Sequence, residues 1–152
     1  MKMRKNIGIY HGKCIDTNEW VEGFYSCVTD TYTPKNCDYI TTFKKLDNGE
    51  IILTGTFEVI SETVGEFTGK IDKNSNMIFE GNIVKVTYIS SESDGKPITE
   101  ITTVTYDEQN CCFYPMKWNE SCEQCDNYTE IIEIEVIGNV YDDRELLNTN
   151  HI

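Results

Sequence analysis

The chain has 152 residues, enough for one domain or for two small lobes that share a core. Asp and Glu number 26 against 13 Lys and Arg, so the formal net charge is −13. A surface this negative repels phosphate backbones and disfavours non-specific nucleic-acid binding, and it suits either solubility or a basic protein partner. No apolar run is long enough to span a bilayer, and no signal-peptide core follows the basic N-terminus, so we expect a cytoplasmic protein.

Apolar and polar residues alternate with period two through most of the chain, which predicts a mostly β fold. The first clear case is the pair of runs 39–46 and 50–60. They are separated by Asn48-Gly49, which predicts a tight hairpin because both residues tolerate a positive φ angle. In the second run, the alternation predicts that four residues share one face of the strand: Leu53, Gly55, Phe57 and Val59.

The middle of the chain continues the strand pattern with marked interruptions. Gly65 and Gly69 break one strand and predict a bulge or a bend. A polar turn is predicted at 72–76, and Gly81 marks a further turn. The remaining predicted strands are rich in β-branched residues, and they are 83–88, 98–106 and 132–136, with an exposed loop at 90–96.

The clearest helix signal lies at the C-terminus. Asp142 can cap a short helix that runs to Leu147, with Glu145 three residues after the cap. We therefore divide the single domain into an N-terminal β lobe over 1–72, a small barrel over 77–137 and a short helical tail over 138–152.

Four of the seven cysteines lie close together near the C-terminus. Cys122 and Cys125 form a CxxC pair, and Cys111 and Cys112 precede them. Four thiols could hold a zinc ion tetrahedrally. Adjacent side chains of a strand point to opposite faces, however, so only one of the first two would ligate easily. We favour ordinary free thiols and no cofactor, with zinc as the alternative.

Aromatic residues supply the candidates for a binding face. Trp20, Phe24, Tyr25 and Trp118 are of the types found at interaction hot spots, although sheets also use such residues in their own cores. His11 could act as a general base, but no recognisable motif supplies a nucleophile and an orienting partner, so we expect a surface or rim histidine. We infer no catalytic residues and no enzyme activity.

Three segments carry a resemblance to a known family. Residues 10–23 read YHGKCIDTNEWVEG, residues 62–86 read ETVGEFTGKIDKNSNMIFEGNIVKV, and residues 135–147 read EVIGNVYDDRELL. Together, and in this order, they resemble the signature segments of the YopX family, small proteins carried by bacteriophages and prophages. The resemblance implies a phage origin and a β fold, whose second part looks like a small SH3-like barrel. It implies no particular activity.

The resemblance and the missing catalytic constellation favour a non-enzymatic accessory binding protein of the bacterial cytoplasm. A sharper version is a counter-defence factor that acts on a host protein and blocks a basic surface by mimicking the charge of DNA. One alternative is sequestration of a nucleotide signal, which would require a local cluster of Lys or Arg. Another is a homo-oligomeric structural or assembly protein, because β proteins often cover open sheet edges by self-association.

Overall fold

The computed structural model describes residues 8–29, 31–32, 35–116 and 128–151. Strands dominate these residues, so the predicted mostly β fold is confirmed. No helix in the described ranges is long and apolar enough to cross a membrane. In chain order the strands are β1 (Ile9–Lys13), β2 (Trp20–Thr29), β3 (Asn36–Lys45), β4 (Ile51–Val59), β5 (Gly65–Ile71), β6 (Met77–Phe79), β7 (Asn82–Ser90), β8 (Ile98–Thr103), β9 (Thr105–Asp107), β10 (Cys112–Tyr114) and β11 (Thr129–Asn139).

The chain divides into two compact units, Met1–Phe67 and Thr68–Ile152. In the first unit the strand order is β4-β3-β2-β1-β5, and neighbouring strands are antiparallel. The predicted hairpin between β3 and β4 is confirmed. Gly49 takes a φ angle of +88°, and the side-chain oxygen of Asn48 accepts a hydrogen bond from the Glu50 amide.

The sheet of the first unit curls back on itself. Cys14 forms a β-bridge with Val59, and the Ile15 amide donates to the Glu58 carbonyl at 3.0 Å. The end of β4 therefore meets the end of β1, and the side chains enclosed by the curl form the core of this unit. Ile40 and Val59 point inward and are 0% and 2% exposed. We call this side of the sheet the inner face and the opposite side the outer face.

A β-bulge in β4 corrects one detail of the predicted alternation. Thr42 pairs with Gly55, whereas the next residue of β3, Phe43, pairs with Leu53. Thr54 is therefore an extra residue, and Leu53 lies on the opposite face from Gly55. The prediction that Leu53 shares a face with Gly55, Phe57 and Val59 is wrong for Leu53, because an insertion of one residue inverts a period of two.

The second unit has a three-stranded antiparallel sheet in the order β11-β7-β8 and a β9–β10 hairpin. Its core cluster contains Ile78, Val84 and Val104, all 0% exposed. The run predicted as one strand over 98–106 is divided at Val104, whose amide donates to the Asn82 carbonyl and whose carbonyl accepts from the Gly81 amide. The assignment of an SH3-like barrel to 77–137 stays a prediction.

The C-terminal helical tail is confirmed as a 3-10 segment, Arg144–His151. Asp143, not Asp142, immediately precedes its first residue. The reason is a turn before the segment, in which the Asn139 side-chain oxygen accepts hydrogen bonds from the amides of Tyr141 and Asp142. Asp142 is therefore part of this turn, and the helical segment begins two residues later, at Arg144.

The predicted polar turn at 72–76 is also confirmed, and a buried carboxylate organises it. Asp72 is 5% exposed, and its Oδ1 accepts from the amides of Asn74 and Asn76 at 2.9 and 2.8 Å. Its Oδ2 accepts from the Val136 amide of β11 at 3.0 Å. Burial alone would raise the pKa of Asp72, but these hydrogen bonds outweigh it and hold the pKa below its usual value.

Candidate binding surface

The outer face of β2, β3 and β4 carries exposed apolar side chains. Phe24 and Phe43 lie on neighbouring strands with their rings stacked at a centroid distance of 4.7 Å. Leu53 is the cross-strand partner of Phe43, and Ile51 lies two residues further along β4, so both share this face. Phe24, Ile51 and Leu53 are 36%, 53% and 62% exposed. We call these four residues the outer apolar patch.

The local sequence explains how this patch forms. The Asn48-Gly49 turn sets the register of β3 against β4 and so places Ile51 opposite Lys45. The bulge at Thr54 then turns Leu53 outward. Without it, the strict alternation would direct Leu53 to the inner face. Next to the patch, the hydroxyl oxygens of Thr41 and Thr56 lie 2.9 Å apart and hold the two strands together on the outer face.

Charged side chains surround the patch and do not interrupt it. Residues 51–57 contain no Asp, Glu, Lys or Arg. On the outer face, Glu22 precedes Phe24 by two residues, Lys45 follows Phe43 by two, and Glu58 lies opposite Tyr39. An apolar centre with a charged rim is the usual arrangement at a protein–protein interface.

The aromatic candidates from the sequence do not assemble into one face. Trp20 and Phe24 lie on the outer face of β2, and Tyr25 lies on the inner face. Trp20 is half-buried and its ring lies 4.7 Å from that of His11, so only Phe24 joins the patch. Trp118 lies outside the described residues.

Sequence reasoning missed Phe43, Ile51 and Leu53 as surface residues. The available signal was the run Ile51-Ile52-Leu53 immediately after a hairpin turn. Consecutive apolar residues cannot all point to one face of a strand, so at least one of them must point away from a one-sided core. Ile51, Ile52 and Leu53 are all exposed in the structure.

Tyr25 has a structural role instead. Its hydroxyl donates to Asp38 Oδ1 at 2.6 Å, and Asp38 is 8% exposed. Hydrogen bonds from the Ser61 side chain and from Tyr25 lower the pKa of Asp38, and the same carboxylate raises the pKa of the Tyr25 phenol. Because Ser61 begins the turn that follows β4, this network ties that turn to β3.

The expectation of a surface or rim histidine at position 11 is wrong. His11 is 5% exposed. It lies in β1 between two neighbouring strands, opposite Glu22 of β2 and Gly65 of β5, and its ring packs against Trp20. The Trp20 ring covers the imidazole on this face and contributes to its burial.

The cysteine candidates are only partly described. Cys111 is exposed in a turn with a φ angle of +52°, and Cys112 begins β10. Cys122 and Cys125 lie outside the described residues. In the described part of the chain, no group of three or more His, Cys, Asp or Glu side chains is placed to hold a metal ion. The preference for ordinary free thiols over a zinc site therefore stays a prediction.

Comparison with known families gives a match over most of the chain. The family model described as YopX protein matches residues 10–148, which is most of the chain. No curated protein and no solved structure matches. The matched range includes all three segments on which the resemblance rests. The chain belongs to the YopX family.

Proposed function

We propose that this YopX protein is a non-enzymatic phage or prophage accessory protein that works by binding a protein of the host cell in the cytoplasm. The observation that supports this proposal is the outer apolar patch. Its stacked phenylalanines and its two exposed aliphatic residues are contiguous on one sheet face.

An exposed patch of this kind requires an explanation on such a charged chain. Charged residues make up 26% of the sequence, so polar side chains are plentiful. Soluble monomers seldom expose contiguous apolar areas beyond a few hundred Å², and larger ones mark interaction sites. Burying these side chains against a partner would remove apolar surface from water, which is favourable.

The charge of the whole chain complements this contact. A net charge of −13 attracts a basic partner at long range and speeds encounter, whereas the apolar patch supplies affinity after contact. A host defence protein with a basic nucleic-acid-binding surface has the required charge. Counter-defence is therefore the role that we propose.

Affinity capture from infected cells tests this function with a matched pair of variants. Phe24→Ala removes one of the stacked rings, and Tyr128→Ala removes an aromatic side chain of similar exposure, 42% against 36%, in the other unit. We expect Phe24→Ala to weaken capture of a specific host protein about tenfold, as for an interface hot spot, and Tyr128→Ala to leave it unchanged. Circular dichroism of both variants verifies that they fold.

Salt dependence separates contact through the patch from charge mimicry. Apolar contact should persist between about 0.1 M and about 0.5 M salt, whereas binding by mimicry of DNA charge should weaken steeply. Steep weakening together with full capture by Phe24→Ala would contradict the patch as the contact. Recovery of no host protein above background by the wild-type protein would contradict the binding function itself.

A further inference from the structure

The first unit has an open sheet edge along β4. Among the described residues, β4 pairs over 51–57 with β3 alone. The chain at and just after the end of β4 is not open in this way. The Glu58 carbonyl accepts a hydrogen bond from the Ile15 amide, and the Ile60 amide donates to the Lys13 carbonyl. The open stretch is therefore the part of β4 that lies before the closure of the curl.

The backbone of this stretch has hydrogen-bonding groups that point away from β3. The Glu50 carbonyl accepts from the Leu46 amide at 2.8 Å, so Glu50 faces β3. Successive residues of an antiparallel strand direct their polar groups to alternate sides. The amides and carbonyls of Ile51 and Leu53 thus point to the open side.

The edge also lacks most features that normally prevent strands from pairing. Edge strands are usually protected by Lys, by Pro, by shortness or by a bulge. The stretch 51–57 contains neither Lys nor Pro and begins with three apolar residues. The bulge at Thr54 protects only its middle.

We propose that a second copy of this chain occupies this edge, with β4 pairing antiparallel to β4 across a two-fold axis. Charge complementarity supports this occupant. On the outer face Lys45 flanks the beginning of β4 on β3, and Glu58 lies at the end of β4. Antiparallel pairing of the two open stretches brings the beginning of one beside the end of the other, so Lys45 of each copy, one strand in from the edge, lies on the side of its partner's Glu58. Parallel pairing would instead bring like charges together.

The same geometry limits the assembly to two copies. In an isologous interface each copy contributes the same surface, and the contact is then saturated. Within the described part of the first unit, the other flank of β1 is occupied by β5 and by the end of β4. Two curled sheets would thus join into one, and the two outer apolar patches would become continuous across the axis.

Sedimentation equilibrium of the purified protein tests the dimer without any partner. Leu53→Lys places a charge at the open edge, and Ile132→Lys adds the same charge at a position of similar exposure on β11, 56% against 62%. We expect the wild type and Ile132→Lys to be dimers, and Leu53→Lys to dissociate at least tenfold more readily. A monomeric wild type at about 0.1 mM, or loss of the dimer in Ile132→Lys alone, would overturn the proposal.

A charge exchange tests the antiparallel arrangement. Lys45→Glu should weaken the dimer about twofold to fivefold, as for an exposed ion pair, and adding Glu58→Lys should restore it. A double variant that dissociates more readily than the single variant would show that these side chains do not meet in the dimer. Because no host protein is present, these results do not depend on the function proposed above.

Discussion

Asp72 links two elements that are far apart in the sequence. Its carboxylate organises the turn after β5 and also accepts a hydrogen bond from β11, more than sixty residues later. Beside it, the Lys73 amide donates to the Ile134 carbonyl, and its ammonium group contacts Glu133 and Glu135 at 3.0 and 2.7 Å. The Lys73 side chain is partly exposed, so we attribute more of the stability to the buried carboxylate than to these ion pairs.

Asp72→Asn is expected to lower the free energy of unfolding by about 2 kcal/mol at neutral pH. The amide side chain keeps one acceptor oxygen, so a backbone donor of either the turn or β11 loses its partner. Urea denaturation measures the effect. Asp107→Asn is the matched control, because Asp107 also accepts turn hydrogen bonds, from the amides of Gln109 and Asn110, but these are local to the β9–β10 hairpin.

The difference in the free energy of unfolding between the wild type and Asp72→Asn should also depend on pH. The pKa of Asp72 is lowered in the folded protein, so its contribution is fully present above the unfolded pKa of about 3.9. That contribution is lost as the pH falls through the folded pKa. We expect a constant difference between pH 7 and about pH 5, and a shrinking one below about pH 4. A difference that grows in acid would contradict this account.

The curl of the first unit depends on small residues at crowded positions of the strands. At Gly23 of β2, a Cβ atom would lie 2.7 Å from the Thr41 carbonyl carbon of β3, a backbone atom that cannot move without the strand. At Gly12 of β1, a Cβ atom would lie 3.1 Å from Ile40 Cδ1 and from Val59 Cβ and Cγ2, a close contact that a shift of a few tenths of an ångström would relieve. These glycines allow the strands to approach closely.

Gly23→Ala is therefore expected to destabilise the protein by about 3 kcal/mol, and Gly12→Ala by about 1 kcal/mol. The first variant must separate β2 from β3, whereas the second requires only a small shift of two apolar side chains. Thermal or urea unfolding of the two variants measures the difference. Equal losses of stability in the two variants would indicate that the sheet relaxes around Gly23. The curl would then not constrain the backbone at that position.

At the scale of the whole molecule, the outer apolar patch and the open edge of β4 are parts of one surface. A dimer that joins the two sheets would bury the edge and would present a patch of twice the size to a host protein. The net charge of −13 on each copy opposes unspecific association over the rest of the surface. The proposed association would therefore take place at the uncharged stretch 51–57.

If the dimer forms, the midpoint of thermal unfolding should rise with protein concentration, because association stabilises the folded state by mass action. Over about a 100-fold range of concentration, we expect a rise for the wild type and for Ile132→Lys, and a smaller rise for Leu53→Lys. Differential scanning fluorimetry at several concentrations measures this. A midpoint that is independent of concentration in all three proteins would contradict self-association.

The sequence by itself determined the strand content, the hairpin at Asn48-Gly49, the turn at 72–76 and the family, because period-two alternation and turn residues are local signals. Only the tertiary structure decided that Leu53 points outward and that His11 is buried. The bulge at Thr54 depends on how β4 pairs with β3, and the bridge between Cys14 and Val59 joins distant parts of the chain. A pattern read along one strand carries no record of such pairing, so the surface that we assign to binding became visible only in the folded sheet.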